Sequence, residues 1–254
     1  MKSATSASGS ALLWGPRWDA RARDWAGNED QQRPIYEEAI RRVGIAPGAR
    51  VLDVGCGSGV FLRNAADRGA EVFGLDASEA LIALARARVP EAELTVGDLQ
   101  FLPYEDDRFD VVAGFNSFFF AADMTAALRE AARVAKPGAP VVIQVWGRPD
   151  ACDLTAMKAA AAPFLPAPSP GTRRPPPLWQ AGVLEELATE AGLTPASAFD
   201  LTSAYRYADD DALARGMLAA GASPARPSPP AYPPCERRSS TRWRRTARRA
   251  ARTI

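Results

Sequence analysis

"VLDVGCGSG", residues 51–59, decides how the rest of the chain is read. A short apolar run closes on an acidic residue, Asp53, and turns through Gly55, Cys56, Gly57 and Gly59. A helix-like stretch, "GVFLRNAADRG" (59–69), follows at once. Glycine admits positive φ and lets a ligand come close to the backbone. A strand, a glycine turn and a helix in this order form a nucleotide-type site at the carboxyl edge of a parallel sheet. The dinucleotide fingerprint is G-x-G-x-x-G. Counted from Gly55, its last glycine would stand at position 60, which is Val60. The spacing is instead G-x-G-x-G, with Asp53 two residues ahead of it. A carboxylate there suits a cationic ligand better than a pyrophosphate.

Working outward, strand and helix signals alternate. "PIYEEAIRRVG" (34–44) opens on proline and stops on glycine, as a helix does. After the glycine turn come the strand "AEVFGLD" (70–76) and the helix "SEALIALARARV" (78–89), with Ser78 as its cap. "AELTVGD" (92–98) and "RFDVVAGF" (108–115) read as strands. Asp123 caps the helix "MTAALREAARVA", and "APVVIQVW" (139–146) is a fifth strand. The fold expected is α/β: a Rossmann-like, doubly wound, mostly parallel sheet with helices on both faces. Three successive strands end in an acid: Asp53, Asp76 and Asp98. Singly, each is an ordinary turn or cap residue. As an ordered set along one sheet edge they describe a site. Asp76 is placed to accept two ribose hydroxyls, and Asp98 to accept a hydrogen bond from an adenine amine.

Beyond Gly147 the rhythm breaks. Residues 163–177 hold seven prolines and are either an extended crossing loop or a lid. "LWQAGVLEELATEAGL" (178–193) reads as a helix, "ASAFDLTSAYRYA" (196–208) as a sixth strand and "DDDALARGMLAAG" (209–221) as a helix. The division expected is a flexible amino-terminal segment or lid (1–30), a binding domain (31–147), a region completing the acceptor side (148–220) and a tail (221–254).

Charge singles out that tail. The chain has 31 basic and 30 acidic residues, yet residues 221–254 carry nine arginines and one glutamate. Two readings stand for it: a basic arm for nucleic acid, or a stretch read out of frame. The composition breaks sharply near Gly221, and a shifted reading of GC-rich codons permits an amphipathic helix and a strand start. The frame-shift reading is the one expected, with the tail disordered and nucleic-acid binding not expected. Cys56, Cys152 and Cys235 form neither a disulfide framework nor a zinc site. No metal is therefore expected. No stretch approaches the ~20 apolar residues of a membrane span. A cytoplasmic protein is expected, and its oligomeric state stays open. The chain has no histidine, so histidine-based proton transfer is excluded.

"VLDVGCGSG", "VFGLDAS", "VGDLQFLPYEDDRFDVV" and "REAARVAKPGAPVVI" together resemble the class I S-adenosylmethionine-dependent methyltransferases, in the branch of the ubiquinone and menaquinone biosynthesis enzymes. The resemblance covers residues 11–220 or so. It implies S-adenosylmethionine as cofactor and methyl transfer to a small lipophilic acceptor at oxygen or activated carbon. It places Asp53, Gly55, Cys56, Gly57 and Gly59 at the methionine part and Asp76 at the ribose. Ala77, Asp98 and Leu99 fall at the adenine, and the backbone near Asn116 at the methionine amine. "FNSFFFAAD" (115–123) would face the acceptor, giving Ser117, Phe118 and Phe119 as pocket residues. Trp14 counts with these pocket residues and, with Trp18 and Trp25, would belong to a lid. The family also has a last antiparallel strand between its fifth and sixth. Nothing after residue 221 is rich in Val, Ile, Tyr or Phe, so that strand is expected to be missing. A nicotinamide-dependent oxidoreductase and a nucleic-acid-binding protein are the alternatives.

Overall fold

A computed structural model of the chain describes residues 9–161, 163, 176–219 and 247–253, the last group by backbone alone. Five strands, β1 (Arg50–Val54), β2 (Glu71–Asp76), β3 (Glu93–Val96), β4 (Val111–Phe115) and β5 (Val141–Trp146), pair in parallel in the order β3-β2-β1-β4-β5. Helices α1 (Ser10–Asp19), α2 (Ala22–Glu29) and α3 (Arg33–Val43) precede the sheet. Then α4 (Val60–Ala66), α5 (Glu79–Arg88) and α6 (Met124–Val134) connect its strands. Beyond it lie α7 (Asp153–Ala161), α8 (Val183–Glu190), β6 (Phe199–Tyr205) and α9 (Asp210–Leu218).

Alternation along β1 shows why both faces are covered. Val51 points into a core with Ile35, Tyr36 and Ile40 of α3 and Phe61 of α4. Leu52 and Val54 point the other way, against Leu128 and Ala131 of α6 and Leu184 of α8. The expected caps form. Ser78 Oγ accepts from Leu81 N at 3.1 Å, and Asp123 Oδ1 from Ala126 N at 3.0 Å. Each such cap contributes about 1 kcal/mol.

Two expectations need correction. The slot for the last antiparallel strand is filled by β7 (Ala247–Thr253), which runs antiparallel to both β5 and β6 and so extends the sheet to β5-β7-β6. Its sequence, "ARRAART", does lack the residues that favour strands. Two open strand edges pair through backbone N–H and C=O groups, however, and every residue without proline carries both. The expected disorder of the tail therefore does not extend to these residues. The second correction is at the other end: residues 10–29, expected as a flexible segment, form α1 and α2. The proline-rich segment and the tail residues 221–246 lie, apart from residues 163, 176 and 177, outside the described residues.

Candidate functional site

At the carboxyl ends of β1, β2 and β4 the chain leaves an open-sided cleft, about 750 Å³ of free space with the solvent at its mouth included. Its floor is the glycine turn. Gly55, Gly57 and Gly59 have φ of 82°, 56° and 82°, the left-handed region that side chains disfavour. The amides of Gly55 and Cys56 donate to Leu75 O of β2, at 2.7 and 3.0 Å, which pins the turn to the sheet.

Asp76 is buried and ties the same turn. Its Oδ2 accepts from Gly57 N and its Oδ1 from Ser78 N, both at 2.9 Å. Burial raises its pKa, and these backbone donors offset part of the rise. A carboxylate has about four acceptor positions, so Asp76 keeps lone pairs for hydroxyls of a ligand. Asp98 is more fully engaged. Its Oδ2 accepts from Ser10 Oγ and Ala11 N, each at 2.9 Å, and its Oδ1 from Gln100 N at 2.9 Å and Gln100 Nε2 at 3.2 Å. This carboxylate thereby caps α1 and holds the amino-terminal helix over the site. Gly15 permits the close approach: a Cβ there would stand 2.6 Å from Ala77 O.

Asp53 lies behind the turn, 3% exposed, with no partner for Oδ1. Burial pushes its pKa well up, and the nearby Glu29 and Asp76 add to the rise. Asn116 has φ 55° and an unpartnered Oδ1, and its Nδ2 donates to Gln32 Oε1 at 3.4 Å. Ser117 Oγ is likewise buried without a partner.

The far wall is aromatic. Trp14 and Trp18 meet the Phe120 ring edge-on at centroid distances of 4.8 and 5.6 Å, and Trp25 meets Trp18 at 5.0 Å. Phe119 and Trp146 complete it. The space thus brings together Trp14, Gly55, Gly57, Asp76, Ala77, Asp98, Leu99, Asn116, Ser117 and Phe119 of the residues expected from sequence. Asp53, Cys56 and Gly59 support the turn from behind. Phe118 is corrected: it is 1% exposed and packs in the core. Of three consecutive phenylalanines in a tight turn, one points inward. Cys56 is buried and its thiol pKa is pushed well up by desolvation, which removes it as a nucleophile. Among the described residues no group of three or more His, Cys, Asp or Glu is placed to hold a metal ion.

Sequence reasoning missed Glu29, the last residue of α2. Its Oε2 accepts from Ser58 N at 2.7 Å and its Oε1 from Val60 N at 3.4 Å. Burial raises its pKa from 4.5 to about 7, against the lowering effect of the Ser58 hydrogen bonds and of Arg88. "AGNEDQQRP" carries no pattern that marks a site.

Residues 52–143 match the family described as Methyltransferase domain. This part of the chain is similar to a methyltransferase domain. Its relatives agree. A ubiquinone biosynthesis O-methyltransferase of Alkalilimnicola ehrlichii is 32% identical over 144 residues, covering 52% of this chain and 58% of the relative. A demethylmenaquinone methyltransferase of Renibacterium salmoninarum is 36% identical over 119 residues, 47% of this chain and 50% of the relative. A solved chain from the Haloferax volcanii complex between a methyltransferase activator and a methyltransferase superposes with a TM-score of 0.60. It is 28% identical over 73% of this chain and 78% of that one. The chain spans about half the length of the curated relatives it matches. The glycine turn, Asp76, Asp98 and Asn116 lie within the matched residues. Ser10, Trp14 and Glu29 reach the site from α1 and α2, outside the matched residues. No helix among the described residues is long and apolar enough to cross a membrane.

Proposed function

We propose that the chain binds S-adenosylmethionine at the carboxyl edge of its sheet and transfers the methyl group to a small lipophilic acceptor, at oxygen or activated carbon. The observation that carries this reading is the set of buried carboxylates, Asp53, Asp76 and Asp98, around one glycine turn. The residues fit the cofactor. Unpartnered Asp53 Oδ1 stands in surroundings that favour a positive charge nearby, Asp76 keeps free lone pairs, and Gly57 lines the cleft in the left-handed backbone region that the turn requires.

The cofactor supplies a methyl group already activated by a sulfonium. The task left to the protein is orientation and exclusion of water. Gly55 and Gly57 receive the methionine part, Asp76 the ribose hydroxyls, and Ala77 and Leu99 the flat face of the base. Asp98 accepts from the base amine once it shares an oxygen now bonded to Ser10 and Ala11. Trp14, Trp18, Phe119 and Phe120 exclude water from the acceptor side. Ser117 Oγ and Asn116 Oδ1 are available to hydrogen-bond an acceptor. The chain has no histidine, so none takes the acceptor's proton.

An acceptor that is neutral and apolar fits the aromatic wall. The name of one curated relative, a ubiquinone biosynthesis O-methyltransferase, agrees with oxygen as target. The reading carries with it a cytoplasmic location. A nicotinamide enzyme is not favoured: Val60 is fully buried where that fingerprint needs its third glycine. Transfer of labelled methyl from S-adenosylmethionine to a panel of quinols, phenols and enolisable acids tests the activity. No transfer to any of them, together with saturable binding of NAD, would reverse the reading.

A further inference from the structure

Glu29 belongs to neither the strand-end acids nor the matched domain, yet it shapes the turn that both depend on. Its carboxylate spans two amides, Ser58 N at 2.7 Å and Val60 N at 3.4 Å. Val60 N is the first amide of α4 and Ser58 N lies two residues ahead of it, and neither has an acceptor within that helix. The same carboxylate fills the space over Gly57, where a Cβ would lie 2.6 Å from Oε2. The turn therefore takes its shape from a side chain delivered by the amino-terminal segment. The groups facing Glu29 come from four elements. Asp53 on β1, Cys56 in the turn and Tyr36 on α3 are each affected by its charge, and Arg88 on α5 attracts it. Arg88 also donates to Ser58 Oγ at 3.1 Å and to Asp30 Oδ2 at 3.2 Å, so its charge is shared among partners.

A buried carboxylate next to a second one, Asp53, is costly on its own. A glutamine fills the same volume without that cost. What a carboxylate adds is negative charge beside the place where a ligand arrives whose ammonium and sulfonium outweigh its one carboxylate. We infer that Glu29 is a positioning residue for the cofactor: it holds the glycine turn open in its binding shape and, with Asp53, supplies charge that favours the sulfonium form over the neutral thioether. This inference rests on the S-adenosylmethionine reading above. Its geometric part stands on the two amide bonds and the contact over Gly57. The raised pKa adds that the charge is gained close to neutrality, so ligand binding and proton release are coupled.

The test is calorimetry of S-adenosylmethionine and S-adenosylhomocysteine with wild type, Glu29→Gln and Glu29→Asp at pH 6, 7 and 8, with circular dichroism to show that each variant is folded. Wild-type affinity for S-adenosylmethionine is expected to rise several-fold from pH 6 to 8. In Glu29→Gln it falls at least about 10-fold at pH 8 (about 1.4 kcal/mol), the pH rise flattens to what Asp53 and Asp76 contribute, and the loss is larger for S-adenosylmethionine than for S-adenosylhomocysteine. Glu29→Asp keeps the charge but is one methylene short of its amides. It is expected to weaken both ligands while keeping their ratio. Equal losses for both ligands in Glu29→Gln with an unchanged pH profile would overturn the inference, as would wild-type affinities. A wild type that binds neither ligand removes the functional reading itself, and the inference with it.

Discussion

Gly57→Ala, alone and in a Glu29→Ala background, separates the backbone demand at the turn from the contact above it. Gly57 has φ 56°, and an L-residue held there costs about 1 kcal/mol. The new Cβ would lie 2.6 Å from Glu29 Oε2 and 2.9 Å from its carboxyl carbon. The carboxylate is the far end of a flexible side chain, so it swings away. In doing so it forfeits its bonds to Ser58 N and Val60 N, each worth about 1 kcal/mol. The single substitution should cost about 3 kcal/mol of stability at about pH 5, where the buried carboxyl keeps its proton. With Glu29 already removed, the two bonds are gone and only the backbone strain remains, about 1 kcal/mol. A coupling of about 2 kcal/mol is expected from the double-mutant cycle, measured by urea unfolding followed by circular dichroism. Costs that add to within about 0.5 kcal/mol would refute the claim that Glu29 sits on this glycine.

Three further outcomes follow from the same geometry. Glu29 has a folded pKa of about 7 against an ordinary 4.5, so the folded state keeps a proton that the unfolded chain has lost. Stability should be greatest below pH 4.5 as far as this group is concerned. It should fall by about 3 kcal/mol as pH rises to 7, with Asp53 and Asp76 adding in the same direction; denaturant titrations showing a flat profile in wild type and Glu29→Gln alike would contradict it. Gly15→Val places a side chain against Ala77 O and should lift α1 from the site, seen as faster amide exchange at Ala11 with the sheet protected; unchanged exchange would show that the helix docks some other way. Deleting residues 247–254 removes β7 and should expose β6, raising exchange across Phe199–Tyr205; no change there would mean that β7 does not hold that strand.

The parallel half of the sheet was legible because its signals are local and agree with one another. Apolar runs such as "VVAGF", caps at Ser78 and Asp123, and stops such as Gly44 each fix an element without help from elsewhere. The strand-end acids could be read in the same way, since a parallel sheet puts every strand's carboxyl end on one edge. What escaped depends on tertiary contact. "SALLWGPRWD" contains Gly15 and Pro16, both poor in helix interiors, and is helical because Asp98 caps it and Ala77 receives it. "ARRAART" has no strand pattern and is extended because a slot lies between two backbone edges. Glu29 is one acid among thirty Asp and Glu residues, and only the fold brings it to the turn. Phe118 went astray because a 3-10 turn at Phe118–Phe120 sends the first ring inward and the next two outward.

The central claim is that Asp76 and the glycine turn bind S-adenosylmethionine, and calorimetry of S-adenosylhomocysteine against wild type and Asp76→Ala tests it most directly. Loss of two hydroxyl bonds to a charged acceptor, at about 1.5–3 kcal/mol each, predicts at least about a 100-fold weaker affinity, with NAD giving no saturable heat in either protein. Equal affinity in the two proteins, or a wild type that binds NAD and not S-adenosylhomocysteine, would contradict the account.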